Sequence, residues 1–136
     1  MSSYIALDVG EVRIGVAVAN SIARLPYPHT TLAHNQTIYQ QIADIIKNED
    51  ATVVVVGLPR NLSGDDTAQT AYVRDFAAKI SHDTVVFQDE ALTSHKAEAE
   101  LKARKKPYEK GDVDALAATY ILEDYLQTEK ETHATV

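Results

Sequence analysis

The chain has no cysteine and no tryptophan. Without thiols it can form no disulfide, no thiolate metal centre and no cysteine nucleophile, a composition that suits a reducing cytosol. Long apolar runs are also missing. No stretch approaches the roughly 20 apolar residues of a membrane span, and no basic segment followed by a long apolar one opens the chain, so a soluble, cytoplasmic protein without a membrane partner is expected. Positive charge is scarce: 13 Lys and Arg against 20 Asp and Glu give a net charge of −7. That balance argues against a broad, sequence-independent nucleic-acid surface, which draws its affinity from Lys and Arg neutralising phosphates. The five histidines, at 29, 34, 82, 95 and 133, show no metal-ligand spacing; His95, close behind Glu90, could face a substrate but reads first as a surface residue. Neither the Walker pattern nor the dinucleotide glycine fingerprint occurs. The seven tyrosines are spread as core and helix-face residues rather than as a base-stacking platform.

What is present fits one globular domain: 136 residues, 45% hydrophobic and 24% charged, with no internal repeat or linker. Residues 4–9 and 13–19 are apolar and partly β-branched, joined by Gly10-Glu11-Val12, which reads as a hairpin. A third strand is expected near His29–Ala33, after Pro26 and Pro28. Ile38, Ile42, Ile45 and Ile46 recur at helical spacing from Thr37 to Lys47, with Asn35 as cap. Thr52–Val56 is a β-branched run of the kind buried on both faces in a parallel sheet. A loop from Pro59 to Asp66, a helix from Thr67 to Ile80, a strand at Thr84–Phe87 and a helix from Ala97 to Arg104 follow. Pro107 and Gly111 are read as interruptions before a last helix from Asp112 to about Gln127, and residues 129–136 as a disordered tail beyond a domain of residues 1–128. The order β-β-β-α-β-α-β-α-α predicts an α/β fold: a mixed five-stranded sheet, three antiparallel strands followed by parallel βα units, with helices on its faces.

Three acids stand out in this framework. Asp8 lies inside the apolar run Tyr4–Gly10, on the face of its strand shared by Tyr4 and Ala6, opposite Ile5, Leu7 and Val9. Glu90 follows Val85-Val86-Phe87 at the carboxyl end of a strand, where sheets with parallel strands tend to bind ligands. Its neighbour Asp89 points to the opposite face by alternation, and spacing alone does not choose between the two. Asp114 shares a helix face with Ala117, Ala118 and Ile121, alanines that permit close packing on the sheet; it also falls where an acid stabilises a helix N-terminus, with Asp112 as cap. Carboxylates among apolar neighbours are usually paired, protonated or bound to a cation. Brought to one sheet edge, these three would form an all-oxygen site for Mg²⁺ or Mn²⁺, which points to phosphodiester hydrolysis. Arg60, Asn61 and Ser63, in the loop after the buried strand, could supplement backbone N–H groups in phosphate contact. Lys102, Arg104, Lys105, Lys106 and Lys110 form a local basic segment, which reads equally as a phosphate-facing patch or a solvated helix end.

Four segments in order extend this reading: Leu7-Asp8-Val9-Gly10 with Arg13-Ile14-Gly15-Val16-Ala17; Val55-Val56-Gly57-Leu58-Pro59-Arg60-Asn61 with Gly64; Asp89-Glu90-Ala91-Leu92-Thr93-Ser94; and Asp114-Ala115-Leu116-Ala117-Ala118 with Ile121-Leu122. Together they resemble the YqgF/RuvX family of Holliday-junction-resolvase-like proteins, also described as pre-16S ribosomal RNA nucleases, over most of the chain. The resemblance implies an RNase H-like fold. It makes Asp8, Glu90 and Asp114 the metal-binding catalytic acids, leaves Asp89 outside that role, and implies two Mg²⁺ or Mn²⁺ ions. Arg13, Arg60 and Asn61 would then orient the nucleic-acid backbone, with the basic segment from Lys102 to Lys110 extending the contact. The chain departs from the family pattern at Val12, usually basic, at Asn20, usually acidic, and at Ala91, within a segment that usually supplies an arginine.

The expected activity is therefore a metal-dependent endonuclease acting in 5′-end processing of pre-16S rRNA during ribosome biogenesis, with small-subunit precursors as partners. Resolution of branched DNA is the alternative substrate reading, and Ala91 with the acidic balance motivates a weakly catalytic nucleic-acid- or ribosome-binding module. Nucleotide binding in the manner of sugar kinases would require a second lobe that one domain lacks. A four-way junction would favour a homodimer and an RNA end needs only a monomer.

Overall fold

The computed structural model describes residues 2–90 and 93–134, apart from the side chains of 93–95 and 130–134. Strands β1 (Ser3–Val9), β2 (Arg13–Asn20) and β3 (Tyr27–Ala33) form an antiparallel meander, followed by α1 (Ile38–Asn48), β4 (Ala51–Pro59), α2 (Ala68–Ala78), β5 (Val85–Glu90), α3 (Thr93–Ala103) and α4 (Lys110–Ala134). The sheet order is β3-β2-β1-β4-β5, with β4 parallel to both β1 and β5. The expected mixed five-stranded α/β architecture is present.

Strand alternation divides the core into two unlike layers. On one face Ile5, Leu7, Val9, Val54 and Val56 pack with Ile38 and Ile42 of α1 and with Val73 and Phe76 of α2. Each such side chain contributes about 1.5–3 kcal/mol by leaving water. On the other face the sheet presents Ala6, Ala17, Ala19 and Val55 to Ala118, Ile121 and Leu122 of α4. Small residues on both sides bring the α4 backbone close to the strands. Gly15 marks the tightest point, where an added Cβ would lie 2.0 Å from the Asp114 carbonyl oxygen.

Several boundaries differ from the sequence reading. β3 begins at Tyr27 and includes Pro28, which is tolerated because β3 is an edge strand and its register slips between Val16 and Ala17. β4 spans Ala51–Pro59, β5 runs on through Asp89 and Glu90, and α3 starts at Thr93 rather than Ala97. Asn35 does not cap α1 directly; Thr37 is the cap residue, and the Asn35 side-chain oxygen accepts its N–H at 2.9 Å. Gly111 does not interrupt the last helix. It sits in the first turn of α4, where its carbonyl accepts the Thr31 hydroxyl at 2.6 Å and ties the helix to β3. Asp112 is not the cap either: from within the first turn its carboxylate reaches back to the Glu109 N–H at 2.9 Å, as in a capping box. At its other end α4 continues to Ala134, past the limit near Gln127 and through most of the segment read as a disordered tail. Arg24 holds this extension, donating to Glu129 at 3.0 Å and to the Leu126 carbonyl at 3.3 Å, while Tyr125 donates to Glu129 at 2.9 Å.

The Gly15 contact makes a direct prediction. Gly15→Ala must push the α4 backbone off the sheet, and urea unfolding is expected to show a loss of about 1–3 kcal/mol, the usual cost of overpacking. An unchanged midpoint would mean that α4 does not approach this closely.

Candidate active site

Asp8 points to the α4 side of the sheet and is paired across the β1–β2 ladder with Gly15. Because Gly15 has no side chain, the first turns of α4 lie directly above that pair and bring Asp114 there. Glu90 comes from farther away. β5 is separated from β1 by β4, a span of roughly 10 Å across two strand spacings. Glu90 crosses it over Gly57, where an added Cβ would stand 3.0 Å from a Glu90 carboxylate oxygen and 2.5 Å from Ile121. Two glycines, on the strands either side of β1, thus leave room for two of the three acids.

The three carboxyl groups act on one another. Asp8 is hydrogen-bonded to the Glu90 side chain, and its pKa lies well above the ordinary carboxylate range. Burial is the main cause, followed by the negative charges of Glu90 and then Asp114. Asp114 is held differently, its carboxylate accepting Arg13 Nε at 2.6 Å in a partly buried ion pair. Among the described residues no set of three His, Asp or Glu side chains already converges on a metal position. The contacts explain why: Glu90 and Asp8 turn toward each other through a hydrogen bond, and Asp114 turns toward Arg13. A partly buried carboxyl pair of like charge with a third acid nearby is nevertheless a donor set that a divalent cation would relieve, and its all-oxygen chemistry matches Mg²⁺ or Mn²⁺.

The choice between Asp89 and Glu90, open from spacing, has a geometric answer. Glu90 lies over Gly57 on the α4 face, whereas Asp89 is exposed on the opposite face and paired with Arg60 at 3.2 Å. Arg60 also binds Asp66 at 3.0 Å, so it is engaged on the far side of the β5 edge from Asp8. Asn61 shapes its own loop: its side-chain oxygen accepts the N–H groups of Ser63 and Asp65 at 3.0 and 2.9 Å. Lys102, Arg104, Lys105, Lys106 and Lys110 are all exposed, with Lys102 and Arg104 paired to Glu98 and Glu100 one turn earlier on α3. Ala91 and the His95 side chain lie outside the described residues. Sequence reasoning missed Gly57 as the saddle for Glu90, which shows only when β4 and β5 are seen side by side.

The fold is of the RNase H-like class, shared with solved resolvases at low identity. Thermus thermophilus RuvC in complex with a Holliday junction substrate superposes with a TM-score of 0.56 at 14% identity, covering 95% of this chain and 97% of that one. The fowlpox virus Holliday junction resolvase gives 0.53 at 12% identity over 93% and 99%. A family model described as RuvX, Holliday junction resolvase, matches residues 2–128. Among curated relatives, a Sulfurihydrogenibium protein is 34% identical over 93% of this chain and 90% of its own length, and a Chloroflexus aurantiacus protein is 38% identical over 93% and 87%. Both carry the name "Putative pre-16S rRNA nuclease". The chain belongs to the RuvX family.

The acid cluster can be tested without activity. In EDTA near neutral pH, Asp8→Asn removes a carboxyl group whose ionisation is disfavoured in the folded state by burial and two like charges, so it is expected to raise the melting temperature by a few degrees, on the order of 1 kcal/mol. Added Mn²⁺ should then stabilise the wild type and leave Asp8→Asn unchanged. Equal Mn²⁺ stabilisation of both proteins would place the cation elsewhere.

Proposed function

We propose that this chain is a divalent-metal-dependent endonuclease that cleaves ribosomal RNA precursors in 5′-end processing of 16S rRNA, with Asp8, Glu90 and Asp114 as its catalytic, metal-holding acids. The observation that carries the proposal is that acids from β1, β5 and α4 lie close together at glycine-cleared positions, with the Asp8 pKa raised by burial and then by the charges of Glu90 and Asp114. Two Mg²⁺ or Mn²⁺ ions, when bound, would supply an activated water and neutralise charge on the leaving oxygen. The residues of this chain do the rest. Asp8, Glu90 and Asp114 would hold the ions, and Arg13, relieved of Asp114, would be available to a backbone phosphate. Arg13 is suited to this because its side chain is 36% exposed while it pairs with Asp114. The basic residues from Lys102 to Lys110 hold the strand beyond the site, and Arg60 offers a contact on the far side of β5. Asn61 acts by shaping the Arg60 loop.

RNA is preferred as substrate because the relatives at 34–38% identity are named for pre-16S rRNA. Branched DNA is the second reading, favoured by the description of the family model. A single acid cluster per chain suits an RNA end as a monomer, whereas symmetric cleavage of a four-way junction would require a homodimer. Ribosome assembly intermediates in the cytoplasm are the matching partners and setting. Among the described residues no helix is long and apolar enough to cross a membrane.

The decisive experiment compares cleavage of labelled pre-16S RNA and of a four-way DNA junction in Mn²⁺, Mg²⁺ and EDTA. Metal-dependent RNA cleavage, reduced at least about a thousandfold by Asp8→Asn and by Glu90→Gln, is expected. Cleavage of the junction alone would transfer the proposal to DNA. Folded wild type inactive on both would leave a binding module.

A further inference from the structure

A second feature lies on the opposite flank of α4 from the acid cluster. A cavity of about 250 Å³ opens between β3, the end of α3 and the first turns of α4. Its floor is apolar, made by the buried side chains of Leu101, Ala115 and Leu116, and its walls include Tyr108 and Pro28. Its exposed lining is charged, with Arg104, Lys106 and Asp112. The volume falls just below the roughly 300–1,000 Å³ of sites that enclose a whole small molecule, so it suits one flat heterocycle whose polar remainder stays outside.

We propose that this cavity receives an unpaired nucleobase of the substrate strand, next to the nucleotides held at the acids. The charge pattern selects this occupant. Arg104 and Lys106 on this lining suit the phosphates on either side of an inserted base, and the exposed Arg104–Glu100 pair, at 3.3 Å, is of a type worth only a few tenths of a kcal/mol and readily exchanged for phosphate. The Asp112 carboxylate accepts one backbone N–H and keeps capacity for the exocyclic amine that adenine, guanine and cytosine carry. Tyr108 and the leucines offer stacking and apolar surface. Position supports it as well, because Asp112 and Ala115 flank Asp114 on α4, which puts the cavity about one helix diameter, roughly 10 Å, from the acids. This deepens the nuclease reading and rests on it only for the strand's path: the substrate is single-stranded or locally unpaired beside the cut, because a base inside a duplex cannot enter.

The test is binding in EDTA, where no cleavage intervenes, of a short labelled single-stranded RNA and of the same RNA annealed into a duplex. Tyr108→Ala removes a wall and Ala115→Leu fills the floor. Each is expected to weaken single-strand binding about tenfold, the order of one lost base–aromatic contact, and to change duplex binding less than twofold. Tyr108→Phe should bind like wild type. An equal loss on single-stranded DNA also supports the proposal, since the cavity contacts the base and not the ribose. Both variants binding single-stranded RNA as wild type does, with folding confirmed by circular dichroism, would overturn it. Because no metal is present, this outcome is independent of the cleavage assay: selective binding without cutting keeps the base pocket and removes the nuclease reading, and cutting without selectivity does the reverse.

Discussion

The close approach of α4 to the sheet is the constraint on which the remaining structure depends. One face of the sheet is built from Val, Ile and Leu and is covered by α1 and α2 through ordinary large-residue packing. The other carries Ala6, Ala17 and Ala19 with Gly15, and α4 meets it with Ala118, Ile121 and Leu122. A layer of alanines contributes less burial per residue than one of leucines, at about 25 cal/mol per Å². What it gains is distance: the helix backbone comes within reach of a strand carboxylate, so a short Asp on α4 can join an Asp on β1. Leu in place of the alanines would bury more area and part Asp114 from Asp8.

That proximity creates an electrostatic problem, and the structure answers it in two ways. Asp8 and Glu90 share a hydrogen bond, with the Asp8 pKa raised chiefly by burial, and Arg13 neutralises Asp114 at 2.6 Å. Both solutions are provisional in a chemical sense, since neither leaves the carboxylates arranged around a common point. In the function proposed here a divalent cation held by Asp8, Glu90 and Asp114 would take the place of both the carboxyl–carboxyl hydrogen bond and the Arg13 ion pair. Arg13, at the start of β2, supplies positive charge to Asp114 in this structure, and under the proposed function it would be released to a backbone phosphate when a cation took that place.

The fold was legible because its signals are long. Alternation in β1 and β2, the β-branched run of β4 and the isoleucine spacing of α1 each repeat a period several times, and the structure agrees on all of them. Limits were less legible where one residue decides. Gly111 looks like a helix breaker but lies in the first turn of α4, where the Thr31 hydroxyl satisfies its carbonyl and no side chain is needed. The helix end was missed because its support, Arg24, is 105 residues away in sequence from Glu129. The candidate acids were visible as misplaced charges, yet Asp89 and Glu90 were inseparable from spacing, since a one-residue slip in a strand exchanges its two faces. Only the register of Pro59 with Glu90, and the bare backbone of Gly57 beside it, assigns Glu90 to the α4 side.

The net charge of −7, which weighed against a nucleic-acid partner, takes a different meaning once the ion pairs are known. Arg13 is paired with Asp114, Arg60 with Asp66 and Asp89, Lys102 with Glu98 and Arg104 with Glu100. A phosphate approaching any one of them must replace a carboxylate, so the gain per contact is the difference between two similar interactions and is small. Binding becomes favourable when one strand makes several exchanges together and cations neutralise the acids it displaces. An acidic protein of this kind has little affinity for nucleic acid at large. Under the proposed function it would engage where backbone, metal and an inserted base act in concert, and selectivity would come from the number of simultaneous exchanges rather than from the strength of any one.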